Sequence, residues 1–135
     1  MKLKIIALCF LAAIGFNLQA GQNRHMHSLV EKADSKKMMT PGYCEIEVIN
    51  RSFEPVHVTG QYLDGGVLAP FDIYPYDSPH YISVYYWGCQ SGMYVTIQNF
   101  AGYVMYSGYT PTYQTLVIYP TFGNKKSAVK STAKG

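Results

Sequence analysis

Residues 73–89 read IYPYDSPHYISVYYWGC and contain five of the thirteen tyrosines of the chain together with its only tryptophan. Within this stretch, residues 81–87 are almost entirely aromatic or β-branched, a composition that favours a β-strand. Pro75 and Pro79 limit regular pairing upstream because proline has no backbone N–H to donate, and Gly88 is typical of a strand end. Because large side chains occupy both faces, we predict a central strand that is flanked by other strands.

Similar short patterns occur on both sides of this stretch. Residues 44–50, CEIEVIN, alternate apolar and polar side chains as a half-buried strand does, and Asp64-Gly65 is typical of a tight hairpin turn. The predicted strands are 44–50, 56–63, 67–74, 81–87, 93–98, 103–106 and 113–119. Seven short strands separated by Gly, Pro and Asn turns predict an all-β fold. They favour a small antiparallel β-sandwich, immunoglobulin-like or jelly-roll-like in architecture, over a closed barrel.

The length of 135 residues is sufficient for one such domain. Residues 1–20 have the positive, apolar and small-residue regions of a cleaved signal peptide, and their apolar run is shorter than the roughly 20 residues of a typical spanning helix. An uncleaved anchor is the alternative. We predict a signal peptide at 1–20, a linker or loosely ordered segment at 21–42, the sandwich domain at 43–122 and a basic disordered tail at 123–135. The protein is then secreted or periplasmic, and bacterial.

Removal of the signal peptide leaves two cysteines, Cys44 and Cys89. Two cysteines in an exported chain predict a disulfide bond, which would contribute roughly 4 kcal/mol by restricting the unfolded chain. Two buried free thiols are the alternative.

The net charge of +3 is unevenly distributed along the chain. The predicted domain carries six acidic side chains against Arg51 alone, whereas residues 123–135 carry four lysines. An acidic domain argues against a nucleic-acid partner, which requires a basic surface. The basic ends are typical of solvated tails.

Catalytic residue types occur in one short turn, Asp77-Ser78-Pro79-His80. A serine-hydrolase triad instead needs three side chains that converge from separate elements beside an oxyanion hole. We therefore predict no catalytic residues, and a hydrolase is the least favoured function.

Metal-ligating residue types are scattered. The segment His25-Met26-His27 could bind copper near a processed terminus, His57 and His80 could meet in space, and loop aspartates could bind calcium. The chain contains no CxxC or HxxxH pair. Isolated surface side chains are the simpler interpretation, so we predict no metal and no cofactor.

The tyrosines are the most unusual feature, because all thirteen lie within residues 43–119. So small a core cannot bury that many phenol groups without pairing or exposing some hydroxyls. Tyrosine provides a large contact area at low entropic cost. Aromatic rings beside carboxylates suit a sugar ring or, through cation–π attraction, a choline headgroup. The candidate ligand-binding residues are Tyr76, Asp77, Tyr81, Tyr85 and Trp87.

These features predict an exported, non-catalytic binding or interaction module whose partner is a glycan, a lipid headgroup or another protein. Two alternatives remain open. The tyrosines could be half-buried on a thin sandwich with no other role, or the protein could be a structural envelope component that pairs with itself or a partner through an edge strand.

Overall fold

The computed structural model of the protein describes residues 25–29, 43–85, 88–120 and 129–133. In these residues the fold is all-β with no helix, as the sequence predicted, and it has nine strands where the sequence predicted seven. The strands are β1 (His25–His27), β2 (Glu45–Asn50), β3 (Val56–Tyr62), β4 (Phe71–Ile73), β5 (His80–Ser83), β6 (Gly92–Asn99), β7 (Val104–Pro111), β8 (Gln114–Ile118) and β9 (Val129–Ala133).

The strands form two sheets. One has five strands in the order β1-β5-β2-β8-β9, and the other has four in the order β4-β3-β6-β7. Pairing is antiparallel except between β1 and β5 and between β2 and β8, which are parallel. Strand β5 lies between β1 and β2, so the stretch predicted to be flanked by other strands does have a neighbour on each side.

The core consists of apolar side chains from both sheets at alternate strand positions. On β3, Val56 and Val58 are fully buried, whereas His57 between them is partly exposed. The core side chains with no exposed surface include Ile46, Val48, Val56, Val58, Leu68, Ile73, Ile82, Met93, Val95, Ile97, Leu116 and Ile118. Burial of one face of each sheet confirms the predicted sandwich.

Strands β1 and β9 lie outside the predicted sandwich domain of residues 43–122. They lie in the segments predicted to be a linker, 21–42, and a disordered tail, 123–135. Both strands pair with a sheet edge through the backbone, β1 with β5 and β9 with β8. Backbone hydrogen bonds can form between strands of almost any side-chain composition. The sequences HMH of β1 and VKSTA of β9 therefore do not by themselves predict strands. The predicted signal peptide, residues 1–20, lies outside the described residues.

Three strands differ from the predicted bounds by more than one residue at an end. Strand β4 is shorter than the predicted 67–74, because Pro70 separates it from the isolated bridges made by Val67 and Leu68. Strand β5 ends at Ser83, and Tyr85 then bridges Cys89. Strand β7 continues past the predicted 103–106, because it stays in register with β6 as far as Pro111.

The predicted disulfide is present between Cys44 and Cys89, whose Cα atoms are 5.5 Å apart, a usual separation for such a bond. It joins the residue before β2 to the connection between β5 and β6. We call this end of the sandwich the disulfide end. The bond closes a span of 45 residues, for which the chain-entropy model gives about 4 kcal/mol of stabilisation.

Within the described residues, no helix has the length and apolar character needed to cross a membrane.

Replacement of both cysteines, C44A/C89A, is expected to lower the free energy of unfolding by about 4 kcal/mol, because the unfolded chain regains the entropy of the open loop. Urea unfolding followed by circular dichroism measures this loss. The reduced wild type is the matched control, since it keeps the buried volume of Cys44 and loses only the bond. A double variant as stable as the oxidised wild type would contradict the assignment.

Candidate functional site

Three loops meet at the end of the sandwich opposite the disulfide end. They are residues 51–55, 74–79 and 100–103, which connect β2 to β3, β4 to β5 and β6 to β7. Their proximity follows from strand register, because Val56 at the start of β3 pairs with both Ile73 and Asn99. We call this the loop end.

A buried amide holds the loop end together. The side chain of Asn50, at the end of β2, donates hydrogen bonds to the carbonyl oxygens of Glu54 at 2.8 Å and Ile73 at 3.0 Å. Its Oδ1 accepts from the backbone N–H of Ser52 at 2.9 Å and from its hydroxyl at 2.6 Å. A fully bonded buried network of this kind is rigid. It fixes residues 51–55 against the end of β4.

Large aromatic side chains are exposed on all three loops of this end. Tyr76 is 83% exposed and Tyr103 is 73% exposed, the two highest values among the described large hydrophobic residues. Tyr74 and Phe100 come from different loops and meet edge to face, with ring centroids 6.4 Å apart. We define the loop-end aromatics as Phe53, Tyr74, Tyr76, Phe100 and Tyr103.

Polar side chains lie on the same loops. The Asn99 amide donates to a carboxylate oxygen of Glu54 at 3.3 Å, which links the first loop to the start of the third. Asp77 lies on the second loop, directly after Tyr76. The loop end therefore combines exposed rings with carboxylates, on loops that rigid strands support.

The backbone of Tyr76 is held in an uncommon conformation. The Asp77 N–H donates to the Tyr74 carbonyl at 3.2 Å, which closes a turn with Pro75 and Tyr76 at its centre. Tyr76 has a φ of 64°, in the left-handed region. In a four-residue turn with proline at the second position and a positive φ at the third, the third residue is normally glycine or asparagine. A tyrosine there costs about 1–2 kcal/mol, and such strain often accompanies function.

A cluster of imidazoles and one carboxylate lies beside this turn. Strand β1 pairs with β5 so that His25 stands opposite His80, and their rings stack with centroids 4.4 Å apart. His80 Nε2 is 3.0 Å from Asp77 Oδ2, and His25 Nε2 is 3.7 Å from Asp77 Oδ1. His80 is almost fully buried, while His25 is exposed.

A third histidine extends the cluster inward. His27 Nε2 is 2.8 Å from His80 Nδ1, and the His27 ring stacks on Phe71 of the other sheet with centroids 3.4 Å apart. Each ring nitrogen of His80 therefore has one partner. Donation from His27 Nε2–H to His80 Nδ1, and from His80 Nε2–H to Asp77, satisfies both contacts with neutral rings.

The pKa values agree with neutral imidazoles. Burial, followed by the nearby rings of His80 and His25, lowers the pKa of His27 from 6.5 to about 4. Burial also lowers the pKa of His80, against the opposing effect of its hydrogen bond to Asp77. The same bond lowers the pKa of Asp77. At neutral pH, His27 and His80 are uncharged and Asp77 is ionised.

The structure divides the residues predicted to bind a ligand. Tyr76 and Asp77 lie together at the loop end. Tyr81 lies on the outer face of the five-stranded sheet, where its hydroxyl donates to Glu47 at 3.2 Å. Tyr85 lies at the disulfide end beside Tyr43, with ring centroids 6.2 Å apart. Trp87 lies outside the described residues.

The histidines are also placed differently from the sequence-based possibilities. His57 does not meet His80. Its Nδ1 is 2.6 Å from Asp72 on the adjacent strand β4. The two ring nitrogens of His80 are bonded to Asp77 and His27, so neither is available to Ser78 as a serine-hydrolase triad would require.

Sequence reasoning missed several residues of the loop end. Phe53 and Phe100 are large aromatic residues in predicted turns, where small polar residues are usual, and this unusual composition was a usable signal. Tyr103 was predicted to begin a strand. His25 offered no comparable signal, because its place beside His80 depends on parallel pairing between segments 55 residues apart.

No protein-family model, curated protein or solved structure matches this chain.

Replacement of Tyr76 by asparagine is expected to raise the free energy of unfolding by roughly 0.5–1 kcal/mol, because asparagine tolerates the left-handed conformation. Urea unfolding at neutral pH measures the change. Tyr103→Asn is the matched control, since Tyr103 is also exposed but is not among the described residues with positive φ. A Tyr76→Asn protein no more stable than the wild type would show that the turn is not strained.

Proposed function

We propose that this protein is an exported, non-catalytic binding module that recognises a glycan through the loop-end aromatics. The proposal rests on one observation. Three loops, held by a rigid sandwich, expose five large aromatic side chains at a single end of the molecule.

The exposure of these rings distinguishes them from the other tyrosines. Tyr62 donates to the Ser83 carbonyl at 2.9 Å, and the Tyr106 hydroxyl is 2.8 Å from Thr110 Oγ1. These tyrosines have a packing role that explains their presence. Among the described residues, the hydroxyls of the two most exposed, Tyr76 and Tyr103, have no such bond. Of the loop-end aromatics, Tyr74 and Phe100 are in contact, and contiguous exposed apolar surface on a small protein commonly marks a binding site.

The chemistry of the loop end suits a sugar. The apolar face of a pyranose ring can stack on an exposed tyrosine, and its hydroxyls can donate to the carboxylates of Glu54 and Asp77. Tyrosine loses little conformational entropy when it binds, and the Asn50 network keeps the first loop in place before binding. Preorganisation of this kind lowers the cost of binding.

A choline headgroup is the other ligand that the same rings could accept, through cation–π attraction. An experiment can distinguish the two ligands, because phosphatidylcholine vesicles present the choline headgroup and contain no sugar.

Tyr76→Ala and Tyr103→Ala are each expected to weaken glycan binding roughly tenfold, the loss that about 1.4 kcal/mol produces. A glycan array probed with the secreted wild type identifies the ligand, and titration calorimetry then compares the variants. Tyr94→Ala is the matched control, since Tyr94 is exposed on β6 near the disulfide end.

Binding to phosphatidylcholine vesicles with a flat array would assign the loop end to lipid headgroups. Wild-type protein that binds neither, or binding that survives both loop-end substitutions, would overturn the proposal.

Self-association is a second candidate function, favoured by the edge strand β7. This strand has eight residues, VMYSGYTP, and none is charged. It pairs with β6 on one side and has no strand on the other side in the described part of the chain. Natural sheets usually protect such edges with lysine, internal proline or a cover. A second copy could pair with β7 through its backbone.

Sedimentation velocity from micromolar to millimolar concentration tests this candidate, and a reversible dimer is the expected result. Ser107→Lys, at the middle of β7, should shift the equilibrium to monomer because it places like charges together across the edge. Gln61→Lys adds the same charge within the sheet, on β3, and should leave the dimer intact. Wild-type protein that is monomeric throughout would contradict the candidate.

A further inference from the structure

We propose that His25, Asp77 and His80 bind a divalent transition-metal ion of the zinc type. This site shares Asp77 with the proposed glycan surface, but it does not depend on glycan binding. Each residue supplies one ligand atom, and the three atoms lie within 4.8 Å of one another.

The spacing of the ligand atoms fits a small ion. His80 Nε2 is 3.0 Å from Asp77 Oδ2, and His25 Nε2 is 3.7 Å from Asp77 Oδ1. In a tetrahedral zinc site with bonds of about 2.0–2.1 Å, neighbouring ligand atoms are about 3.3–3.4 Å apart. The observed separations lie on either side of that value. The His25 and His80 rings stack with their planes 11° apart, and an ion must lie in the plane of each ring that binds it. The exposed His25 ring therefore has to turn out of the stack for both nitrogens to reach one ion.

The donor set selects the class of ion. Two imidazole nitrogens and one carboxylate oxygen suit zinc, copper, nickel and cobalt, whereas magnesium and calcium require mainly oxygen ligands. Metal binding needs neutral imidazoles and an ionised carboxylate. The hydrogen bond between His80 Nε2 and Asp77 Oδ2 already pairs these two ligand atoms, and an ion would take the place of its proton.

His27 acts as a positioning residue behind this site. Its Nε2 is 2.8 Å from His80 Nδ1, and stacking on Phe71 holds its ring. When an ion takes His80 Nε2, the His80 proton must lie on Nδ1, where it donates to His27 Nε2. His27 then carries its own proton on Nδ1. Both rings stay neutral, and such a partner orients a ligating histidine.

Three protein ligands leave a fourth position open on the solvent side, where His25 is exposed. Zinc sites with three protein ligands commonly hold water or a ligand atom there. The ion would also join the first residue of β1 to the turn that carries Tyr76.

The sequence led us to predict no metal, because the ligands follow no spacing motif. His25 lies 52 residues before Asp77, and only the pairing of β1 with β5 brings them together.

Titration calorimetry with zinc chloride on the full secreted chain, stripped with EDTA, tests the site. We expect one ion per chain with a dissociation constant in the micromolar range or below. His25→Gln should weaken binding at least tenfold, and it is the preferred variant because His25 is exposed on an edge strand. Asp77→Asn should do the same. Circular dichroism confirms that each variant is folded.

His57→Gln is the matched control, since His57 also contacts an aspartate but lies in the other sheet. It should bind zinc as the wild type does. Absence of zinc binding, equal binding by His25→Gln, or a loss in His57→Gln alone would overturn the proposal. Calcium binding as tight as zinc binding would overturn the assigned class of ion. Because the only probe is the metal, failure here leaves the glycan proposal unaffected.

Discussion

The structure depends on the burial of one face of each sheet against the other. Alternate residues of β2, β3 and β6 contribute side chains with no exposed surface, and a shift of any strand by one residue would turn them out to solvent. This constraint sets the register, and the register sets where each strand ends. The connections 51–55, 74–79 and 100–103 are brought to one end for that reason. At the loop end, where the apolar core stops, the buried side chain of Asn50 forms hydrogen bonds instead. Each of its polar atoms must have a hydrogen-bond partner, because an unpaired buried amide is destabilising.

Stability has not been maximised at the loop end. Tyr76 adopts a left-handed conformation and exposes most of its ring, two features that a protein selected only for stability would avoid. The nearby cluster shows a similar compromise. His80 is buried and His27 is partly buried, and burial disfavours the charged form of both rings. The left-handed Tyr76 and the histidine cluster both lie beside Asp77, which follows Tyr76 in the chain and is hydrogen-bonded to His80.

This arrangement connects the two proposals physically. The turn that presents Tyr76 is closed by one backbone hydrogen bond and followed by the aspartate that contacts His25 and His80. An ion at these residues would restrict the turn, since Asp77 would be held by a bond to the metal as well as by the hydrogen bond from the Ser78 N–H. It would also strengthen the attachment of β1, which has three residues and pairs with β5 alone in the described chain.

Local sequence patterns were sufficient for the class of fold, the disulfide between Cys44 and Cys89 and most strands. Alternation and turn residues act over short spans, and the predicted mature chain offers only one pair of cysteines. Local patterns also predicted Tyr76 and Asp77 as ligand-binding residues, and that role stays a prediction. The tertiary structure alone decided which aromatic rings are exposed: it separated Tyr81 and Tyr85 from Tyr76 and added Phe100 and Tyr103. It alone placed His25 beside His80, because backbone pairing between distant segments leaves almost no trace in the residues that make it.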